Sequence, residues 1–476
     1  MGVLYVVLGF LTLLILIVVI RALCFKDKNN NIDDKEEVVI LDDVVQKLGE
    51  MIKIPTISYE DKSKIDYEQY YKYINKVKEL FPTVFEKGEW EITKELAFKI
   101  KIKGKKSDSP TVLMAHYDVV PVTEGWKHDP FLGEVVDGYL YGRGTLDTKI
   151  TMACSLNAVE DALKKGYVHE QDLYLCYGAN EEIFGDSQEK IVEWFKKEGI
   201  VPGLVFDEGG GVISNAFPGV KEDTAFLGMV EKGMVNIKLS YKGNGGHSST
   251  PRKNGPAIRL AKALIKLEKN QMKPQLIKTT REMIDIMGRH SSFGLKIIFA
   301  NMWLFEGLLK KIFQIASADT RALVQSTFAF TILNGGNQTN IIPNQVEANI
   351  NVRVAPFDTI ESIIEHVKKV IDDDQIEVTS FDERRTYKEC STDQDGYRKI
   401  RSTVYETYDN VVVAPFIMLG GTDAKYYCNV SPCVIRFSPM KVTNEDRKGI
   451  HGLDEQIKVE SLLKCQEFYQ RLLKKI

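Results

Sequence analysis

The 476-residue sequence predicts an α/β protein with a mostly parallel sheet, an inserted α+β domain and one N-terminal transmembrane helix. Three observations predict this arrangement. Short apolar runs alternate with amphipathic segments after residue 38, strictly alternating strands appear between about residues 230 and 355, and the first 20 residues are almost entirely apolar. The composition, 44% hydrophobic and 27% charged, is that of a globular protein.

The charge balance and the cysteines exclude several classes of function. The 63 basic and 66 acidic residues give a net charge of −3. Binding to duplex nucleic acid needs a concentrated basic face, so we expect no nucleic-acid partner. Seven cysteines without a CxxC pair predict neither a disulfide framework nor a structural zinc cluster.

The first segment, residues 3–20, holds 18 residues without a charge. As a helix it would extend roughly 27 Å, close to the thickness of the hydrocarbon core. A cleaved signal peptide is the alternative, but no basic residue precedes the run and no A-x-A-like site follows it. We therefore expect residues 1–25 to be a single-pass anchor in the lipid bilayer. Arg21, Lys26 and Lys28 favour a cytosolic main domain, but three charges leave the side of the membrane open.

The remaining elements follow in order after a polar tether at residues 26–37. Residues 41–52 and 67–80 are amphipathic and predict helices, whereas residues 111–115, 173–177 and 204–206 are short apolar runs that predict strands buried on both faces. Residues 233–354 predict the inserted strand–helix–helix–strand–strand domain. The α/β pattern then resumes, so residues 38–232 and 355–476 form one larger domain that ends in a helix at 459–473.

Each of the three apolar strands ends in chemistry-bearing side chains. His116 and Asp118 follow the first, the pair Glu181 and Glu182 follows the second, and Asp207 follows the third. Ligands of open α/β sheets bind outside the carboxyl ends of the strands. Imidazole with carboxylate and no thiolate suits Zn²⁺, Mn²⁺ or Co²⁺ in an open catalytic site.

Further side chains fit the same edge. Asp147 lies in a glycine-bearing loop before a predicted helix. On extended backbone Glu181 and Glu182 would point in opposite directions, so that one can ligate a metal while the other faces a substrate. Asp118 is placed to hold the second ring nitrogen of His116. Two adjacent acidic residues more often form a solvated turn. Only the position of Glu181 and Glu182 at the end of a predicted strand favours a functional role.

Six strings now point to a family: AHYDVVPV, GRGTLDTK, ANEEIFG, FDEGG, GGHSSTP and GIHGLDE. Together they resemble the co-catalytic metallopeptidase family of aminoacylase-1, carboxypeptidase G and succinyl-diaminopimelate desuccinylase. The sequence is most similar to the branch of carboxypeptidase S and the N-acyl-amino-acid hydrolases. The resemblance runs in order from about residue 40 to the C-terminus.

The resemblance implies a role for each matching residue. It implies two divalent metal ions, zinc by default with manganese or cobalt possible. One ion would have His116, Asp147 and Asp207, and the other Asp147, Glu182 and His451; the family has a cis peptide after the aspartate. Glu181 would be the general base and Asp118 the orienting carboxylate. The substrate would be contacted by His247 at the oxyanion, by Arg353 at its carboxylate, and by Asn340, Gly420 and Gly421.

The resemblance also implies a function: a membrane-anchored two-metal amide hydrolase of small peptides or N-acyl amino acids. Residues 233–354 would be a lid and dimerisation domain, with His247 supplied in the family often by the partner subunit. Two alternatives stay open, namely a silent membrane-tethered binding protein and the same site run as an N-acyl-amino-acid synthase. The apolar stretch 293–312 is expected to pack internally or at a subunit contact, or else to line a site for an acyl chain.

Overall fold

The computed structural model describes residues 2–27, 35–217 and 219–476, so most of the expected tether lies outside the described residues. The α-helices of this part of the chain are α1 (Gly2–Cys24), α2 (Val44–Ile52), α3 (Tyr67–Leu80), α4 (Pro82–Lys87), α5 (Lys149–Lys164), α6 (Ser187–Lys197), α7 (Pro256–Lys269), α8 (Lys278–His290), α9 (Phe293–Phe299), α10 (Met302–Ala316), α11 (Ala318–Val324), α12 (Ile360–Ile371), α13 (Asp395–Thr407) and α14 (Val459–Leu473).

The strands of the same residues are β1 (Glu89–Ile92), β2 (Phe98–Ile102), β3 (Lys106–His116), β4 (Val135–Val136), β5 (Tyr139–Tyr141), β6 (Gln171–Gly178), β7 (Leu204–Asp207), β8 (Gly211–Ile213), β9 (Asp223–Glu231), β10 (Gly233–Lys242), β11 (Gly246–His247), β12 (Thr327–Asn334), β13 (Ile341–Ile342), β14 (Gln345–Val354), β15 (Ile376–Arg384), β16 (Val411–Met418), β17 (Val434–Arg436), β18 (Lys441–Val442) and β19 (Gln456–Lys458).

A ten-stranded sheet forms the larger layer, and its centre runs β6-β3-β7-β17 with all neighbours parallel. These strands are apolar on both faces because helices cover both sides. The main core packs α2, α3, α5, α13 and α14 on one face, and a second cluster packs α6 on the other. The predicted mainly parallel sheet is confirmed, and it brings the carboxyl ends of β3, β6 and β7 to one edge.

A smaller antiparallel sheet has the order β12-β14-β10-β15. β14 alternates between buried and partly buried residues, which is the pattern of a sheet with one covered face. That face packs on α7 and α12. β15 lies beyond residue 354, the boundary expected for the inserted domain, yet it pairs with β10 along most of its length. The expected boundary assigned these residues to the larger domain, and the local sequence of a strand does not specify the sheet that it joins.

The helices between residues 278 and 324 also pack differently from the expectation. They lie within the segment 233–354, but Met283, Ile284 and Met287 of α8 pack against β16 of the large sheet. α9 and α10 continue this cluster towards Ala22 and Phe25 at the end of α1. One side of the apolar stretch 293–312, with Phe299, Ala300 and Leu309, packs in this cluster, whereas its other side is exposed.

The N-terminal helix α1 is long enough and apolar enough to cross a membrane, a criterion that a signal sequence also satisfies. Almost all of its apolar side chains before residue 18 are exposed. Val18 and Ala22 are buried against the cluster just described. The first four turns of α1 thus extend from the protein, and its last two turns are fixed to it.

Candidate active site and metal centre

The carboxyl edge of the large sheet gathers the predicted ligands. His116 is the last residue of β3 and pairs in register with Gly178, the last residue of β6, so the Glu181–Glu182 turn follows at the same level. Two groups of side chains here have ligand atoms close enough to hold a cation: His116 with Glu181 and Glu208, and His116 with Asp147 and Glu182.

Asp147 joins the two histidines. Its Oδ1 lies 3.1 Å from Nε2 of His116, and its Oδ2 lies 3.1 Å from Nε2 of His451. Nε2 of His451 also lies 3.0 Å from a carboxylate oxygen of Glu182. One carboxylate with an imidazole on each oxygen is the arrangement expected of a bridging ligand. The peptide bond from Asp147 to Thr148 is cis, as the resemblance implies.

Asp118 connects the end of β3 to the turn that bears Glu181 and Glu182. Its two carboxylate oxygens accept hydrogen bonds from the backbone N–H groups of Glu181 and Glu182, each at 3.1 Å. Nδ1 of His116 donates to the backbone carbonyl of Asp118 at 2.9 Å, whereas the Asp118 carboxylate is 3.4 Å away. The ring is thus oriented mainly by the carbonyl, and the carboxylate, which the sequence assigned to that task, fixes the glutamate turn.

Glu455 is a positioning residue that the sequence analysis did not identify, although it ends the string GIHGLDE. Its buried carboxylate accepts hydrogen bonds from the N–H groups of Gly144, Leu146 and Asp147 at 2.7 to 3.2 Å. It also pairs with the buried guanidinium of Arg143 at 2.7 Å. Since Glu455 lies four residues after His451, it connects the loop that bears Asp147 to the loop that bears His451.

The third strand places a different carboxylate from the one expected. Asp207, the last residue of β7, is buried, and its Oδ2 accepts a hydrogen bond from the N–H of Ala424 at 3.0 Å. Glu208, the next residue, lies 3.1 Å from Nε2 of His116. Of these two carboxylates, that of Glu208 contacts His116, and that of Asp207 accepts from the backbone.

The electrostatics of the cluster follow from burial among like charges. Burial and the neighbouring Asp147 raise the pKa of Glu182 to about 7, and burial raises the pKa of Glu208 to about 8. Hydrogen bonds to Asp147 and Glu182 raise the pKa of His451 to about 10. Burial opposes charge on His116, but Glu208, Asp118 and Asp147 together outweigh it and raise the pKa of His116 well above its usual value. The carboxylates thus require positive charge nearby.

Some buried carboxylate oxygens near the cluster lack hydrogen-bond partners, which supports a bound cation at this position. Among the described residues, Oε1 of Glu182 and both side-chain oxygens of Asp423 are buried and accept no hydrogen bond. Buried polar atoms are nearly always satisfied, so such orphans call for a missing group. Two imidazoles with several carboxylates are a donor set that fits divalent Zn²⁺, Mn²⁺ or Co²⁺.

A cationic pocket adjoins this cluster. Arg353 on β14 and Arg384 on β15 both pair in register with Met234 of β10, so they flank the same residue on the small sheet. The guanidinium of Arg384 lies 3.5 Å from the ring centroid of Phe184, in the turn that follows Glu182. Gly421 lines the same pocket. Arg384 was missed because β15 was assigned to the larger domain; the basic pair at its end was the available signal.

The remaining predicted residues lie apart from the carboxylate cluster. His247 is exposed on β11, and its Nδ1 accepts from Ser249. β11 pairs with β13, and the backbone carbonyl of exposed Asn340 accepts from Ser248, so His247 and Asn340 share one small element. Gly420 precedes Gly421 beside the cationic pocket. In the described residues neither His247 nor Asn340 contacts a predicted metal ligand.

The sequence matches the model of peptidase family M20/M25/M40 over residues 112–475. The probable carboxypeptidase S-like 2 of Dictyostelium discoideum is 33% identical, covering 97% of this chain and 92% of that protein. The human N-fatty-acyl-amino acid synthase/hydrolase PM20D1 is 32% identical, covering 90% of this chain and 86% of that protein.

Solved structures share the fold. The M20 family metallo-carboxypeptidase Sso-CP2 of Sulfolobus solfataricus has a TM-score of 0.68 at 20% identity, covering 91% of this chain and 99% of that one. The YXEP protein of Bacillus subtilis, a dinuclear metal-binding peptidase, has a TM-score of 0.55 at 15% identity, covering 90% and 96%. The family model, the full-length relatives and the gathered imidazole and carboxylate groups agree, and the chain is a metallohydrolase belonging to peptidase family M20/M25/M40.

Proposed function

We propose that the protein is a membrane-anchored two-metal hydrolase that cleaves an amide bond and releases an amino acid with a free carboxylate. The observation that carries this proposal is the cationic pocket of Arg353 and Arg384 beside the Glu181–Glu182 turn. The names of the relatives, carboxypeptidase S-like and N-fatty-acyl-amino acid synthase/hydrolase, describe substrates whose leaving group carries such a carboxylate.

The proposed metal ligands are His116, Asp147, Glu182, Glu208 and His451, with Glu208 replacing the Asp207 of the sequence prediction. His116 and Glu208 would share one ion with Asp147, and Glu182 and His451 would share the other. Such a pair of ions, when bound, supplies Lewis acidity to a water and to the scissile carbonyl. Zinc is the default identity.

Glu181 is proposed to transfer a proton from the attacking water to the leaving amine. Its carboxylate is buried beside His116 and Glu208, and burial raises the pKa of Glu181 above its ordinary value. A carboxylate with a raised pKa accepts a proton from water and donates it to the leaving amine nitrogen without a large energetic penalty in either direction. Asp118 holds the turn that bears Glu181 through the backbone N–H of that residue.

The substrate is proposed to lie between the two sheets. The guanidinium groups of Arg353 and Arg384 would hold the carboxylate of the amino acid, a task suited to a planar bidentate donor. Burial and the neighbouring Arg384 lower the pKa of Arg353. A bound carboxylate would offset the repulsion between the two guanidinium groups. A peptide or an N-acyl amino acid meets this requirement, and the acyl side faces away from the pocket.

The small sheet is proposed to act as a lid, and His247 with Asn340 to complete the site. Their exposure, and the absence of contacts to the predicted ligands among the described residues, support a role that needs closure or a second chain. We also propose that α1 anchors the protein in a bilayer, which its length and uncovered apolar side chains support. A dimer formed through the small sheet would supply His247 from the partner.

The same site run in reverse is a second candidate. A catalyst that stabilises one transition state accelerates both directions, so an abundant amino acid and an acyl donor would give synthesis. The name synthase/hydrolase of the relatives favours this candidate over a silent binding protein. A silent binding protein would retain the pocket but show no turnover.

The test uses the purified full-length chain in detergent, with metal content measured beside amino-acid release from dipeptides and N-acyl amino acids. We expect about two ions per chain and release that a chelator abolishes. Arg353→Ala and Arg384→Ala should each raise KM for carboxylate-bearing substrates by about 10- to 100-fold, the loss expected of a charged hydrogen bond. Matched carboxamide substrates should be unaffected.

The control variant is Arg398→Ala, which removes an exposed arginine that bridges to Asp395 on α13. Equal KM values for carboxylates and carboxamides in the wild type would contradict the proposed pocket. Bound metal without turnover on any member of the panel would favour the binding protein instead.

A further inference from the structure

The helix α10 is apolar on both sides, because Leu309 and Phe313 are buried in the core and the exposed side is apolar as well. Its exposed face carries five large apolar side chains and one charge, at Trp303, Leu304, Leu308, Ile312, Ile315 and Lys311. Positions 304, 308, 311 and 315 lie on one side of a helix because they are spaced by three or four residues. A soluble helix would place its charged residues there.

Two polar side chains of α10, Glu306 and Gln314, make hydrogen bonds to the neighbouring α8 and to the residue after α11. Glu306 is partly buried and accepts from Arg281 of α8 at 2.9 Å and from Lys310 at 3.2 Å. Gln314 donates to Gln325 at 2.6 Å. The inner side of α10 is therefore covered by the packing of Leu309 and Phe313 and by hydrogen bonds, whereas its outer apolar side remains uncovered.

This uncovered face adjoins the end of the candidate membrane span. Arg21 of α1 donates twice to the backbone carbonyl of Ala300, at 3.1 and 3.2 Å, and Asn301 donates to the carbonyl of Val18 at 3.0 Å. Ala300 and Asn301 form the junction between α9 and α10. The last two turns of α1 are thus fixed to the start of α10.

The length of α1 sets the level at which this junction lies. Residues 2–17 extend roughly 24 Å from it at 1.5 Å per residue. A hydrocarbon core of about 30 Å then reaches the turn that holds Val18 and Arg21. The bilayer surface would meet the protein at the junction, where Phe293 and Trp303 are about half exposed, at 48% and 57%.

We propose that the exposed face of α10, together with Phe293 of α9, is a second membrane-contact surface that lies in the interface of the bilayer crossed by α1. A helix with apolar residues outward, a tryptophan and a lysine on that face matches what inserts in the headgroup region. The surface would hold the larger domain directly against the membrane. This inference rests on the membrane anchoring proposed above.

The test reconstitutes the full-length chain into phosphatidylcholine vesicles with and without brominated acyl chains and measures tryptophan fluorescence. The protein has four tryptophans. We expect brominated lipid to quench part of the emission, and Trp303→Phe to remove most of that quenching. Ile315→Asp should also reduce it, whereas Ile258→Asp, at another exposed isoleucine, on α7, should not. Amide hydrolysis reports that each variant is folded.

The possible failures are distinguishable. A chain that carbonate extracts from the vesicles contradicts the anchoring, and with it this surface. A chain that resists carbonate but shows no quenching, or equal quenching in the wild type and Trp303→Phe, contradicts only the contact of α10. A dimer in detergent that Ile315→Asp converts to a monomer, without quenching in vesicles, would assign the face to a second copy of the chain and overturn the proposal.

Discussion

Glu181 and Glu182 are adjacent glutamates with different surroundings. Glu182 contacts His451, whereas Glu181 is buried beside His116 and Glu208. We expect Glu181→Gln to retain its metal ions and to lower kcat by about 10²- to 10⁴-fold, because the amide cannot accept the proton from water. Metal content and turnover are measured on the same sample, with Glu189→Gln on the exposed side of α6 as control. Turnover near that of the control would contradict the assignment.

A second prediction separates the two acids that follow β7. Glu208→Gln should lose one of the two ions, because the Glu208 carboxylate faces His116 at 3.1 Å. Asp207→Asn should keep both, because the Asp207 carboxylate accepts from the backbone of Ala424 and the amide oxygen of asparagine can do the same. Metal analysis of the two purified variants decides. The reverse pattern would restore Asp207 as the ligand.

Among the elements of the fold, the loops after β5 and before β19 depend on each other through Glu455. Removing one member of a buried ion pair costs about 3 to 5 kcal/mol because its partner stays buried and charged. We therefore expect Glu455→Gln to lower the thermal midpoint and also the metal content, since Asp147 and His451 lie on the two loops that it joins.

The matched control for that variant is Glu460→Gln, which changes an exposed glutamate five residues further along the chain. Thermal unfolding and metal analysis of both variants make the comparison. If the two variants behave alike, the loops are held by other contacts and Glu455 has no positioning role.

At the level of elements, the sequence located the strands well and their partners less well. The apolar runs at 111–115, 173–177 and 204–206 lie within β3, β6 and β7 because residues buried on both faces leave a continuous apolar pattern. The sequence of β15 contains no pattern that identifies the strand with which it pairs. Its pairing with β10, and hence the placement of Arg384 beside Arg353, depends on contacts between residues far apart in the chain.

For the whole molecule, we predict that stabilisation by divalent ions grows with pH. In the metal-free protein, burial raises the pKa of Glu208 to about 8 and that of Glu182 to about 7. The folded state therefore holds protons that the unfolded state has released. The free energy of unfolding of the metal-free protein thus falls as pH rises from about 4.5 towards 8. Bound ions replace those protons, and their contribution increases over the same range.

The measurement compares thermal unfolding with saturating Zn²⁺ and with chelator between pH 5.5 and 8. The difference cancels groups away from the site, such as His169, whose burial lowers its pKa to about 4. Each displaced proton changes the ion-binding free energy by about 1.4 kcal/mol per pH unit. An increment that is constant across this range would mean that the carboxylates do not carry protons in the metal-free protein.

The sequence by itself determined the family, the enzyme class and the strands whose ends carry the site. These are local properties, because residue types, spacing and periodicity can be read from the sequence without knowledge of tertiary contacts. Only the tertiary structure decided that the Glu208 carboxylate contacts His116, because both acids follow the same apolar run and the run does not specify which of them reaches the neighbouring strand. It also decided that α8 to α11 pack on β16 and α1, since an apolar helix face fits any apolar surface and the fold selects the one that is available.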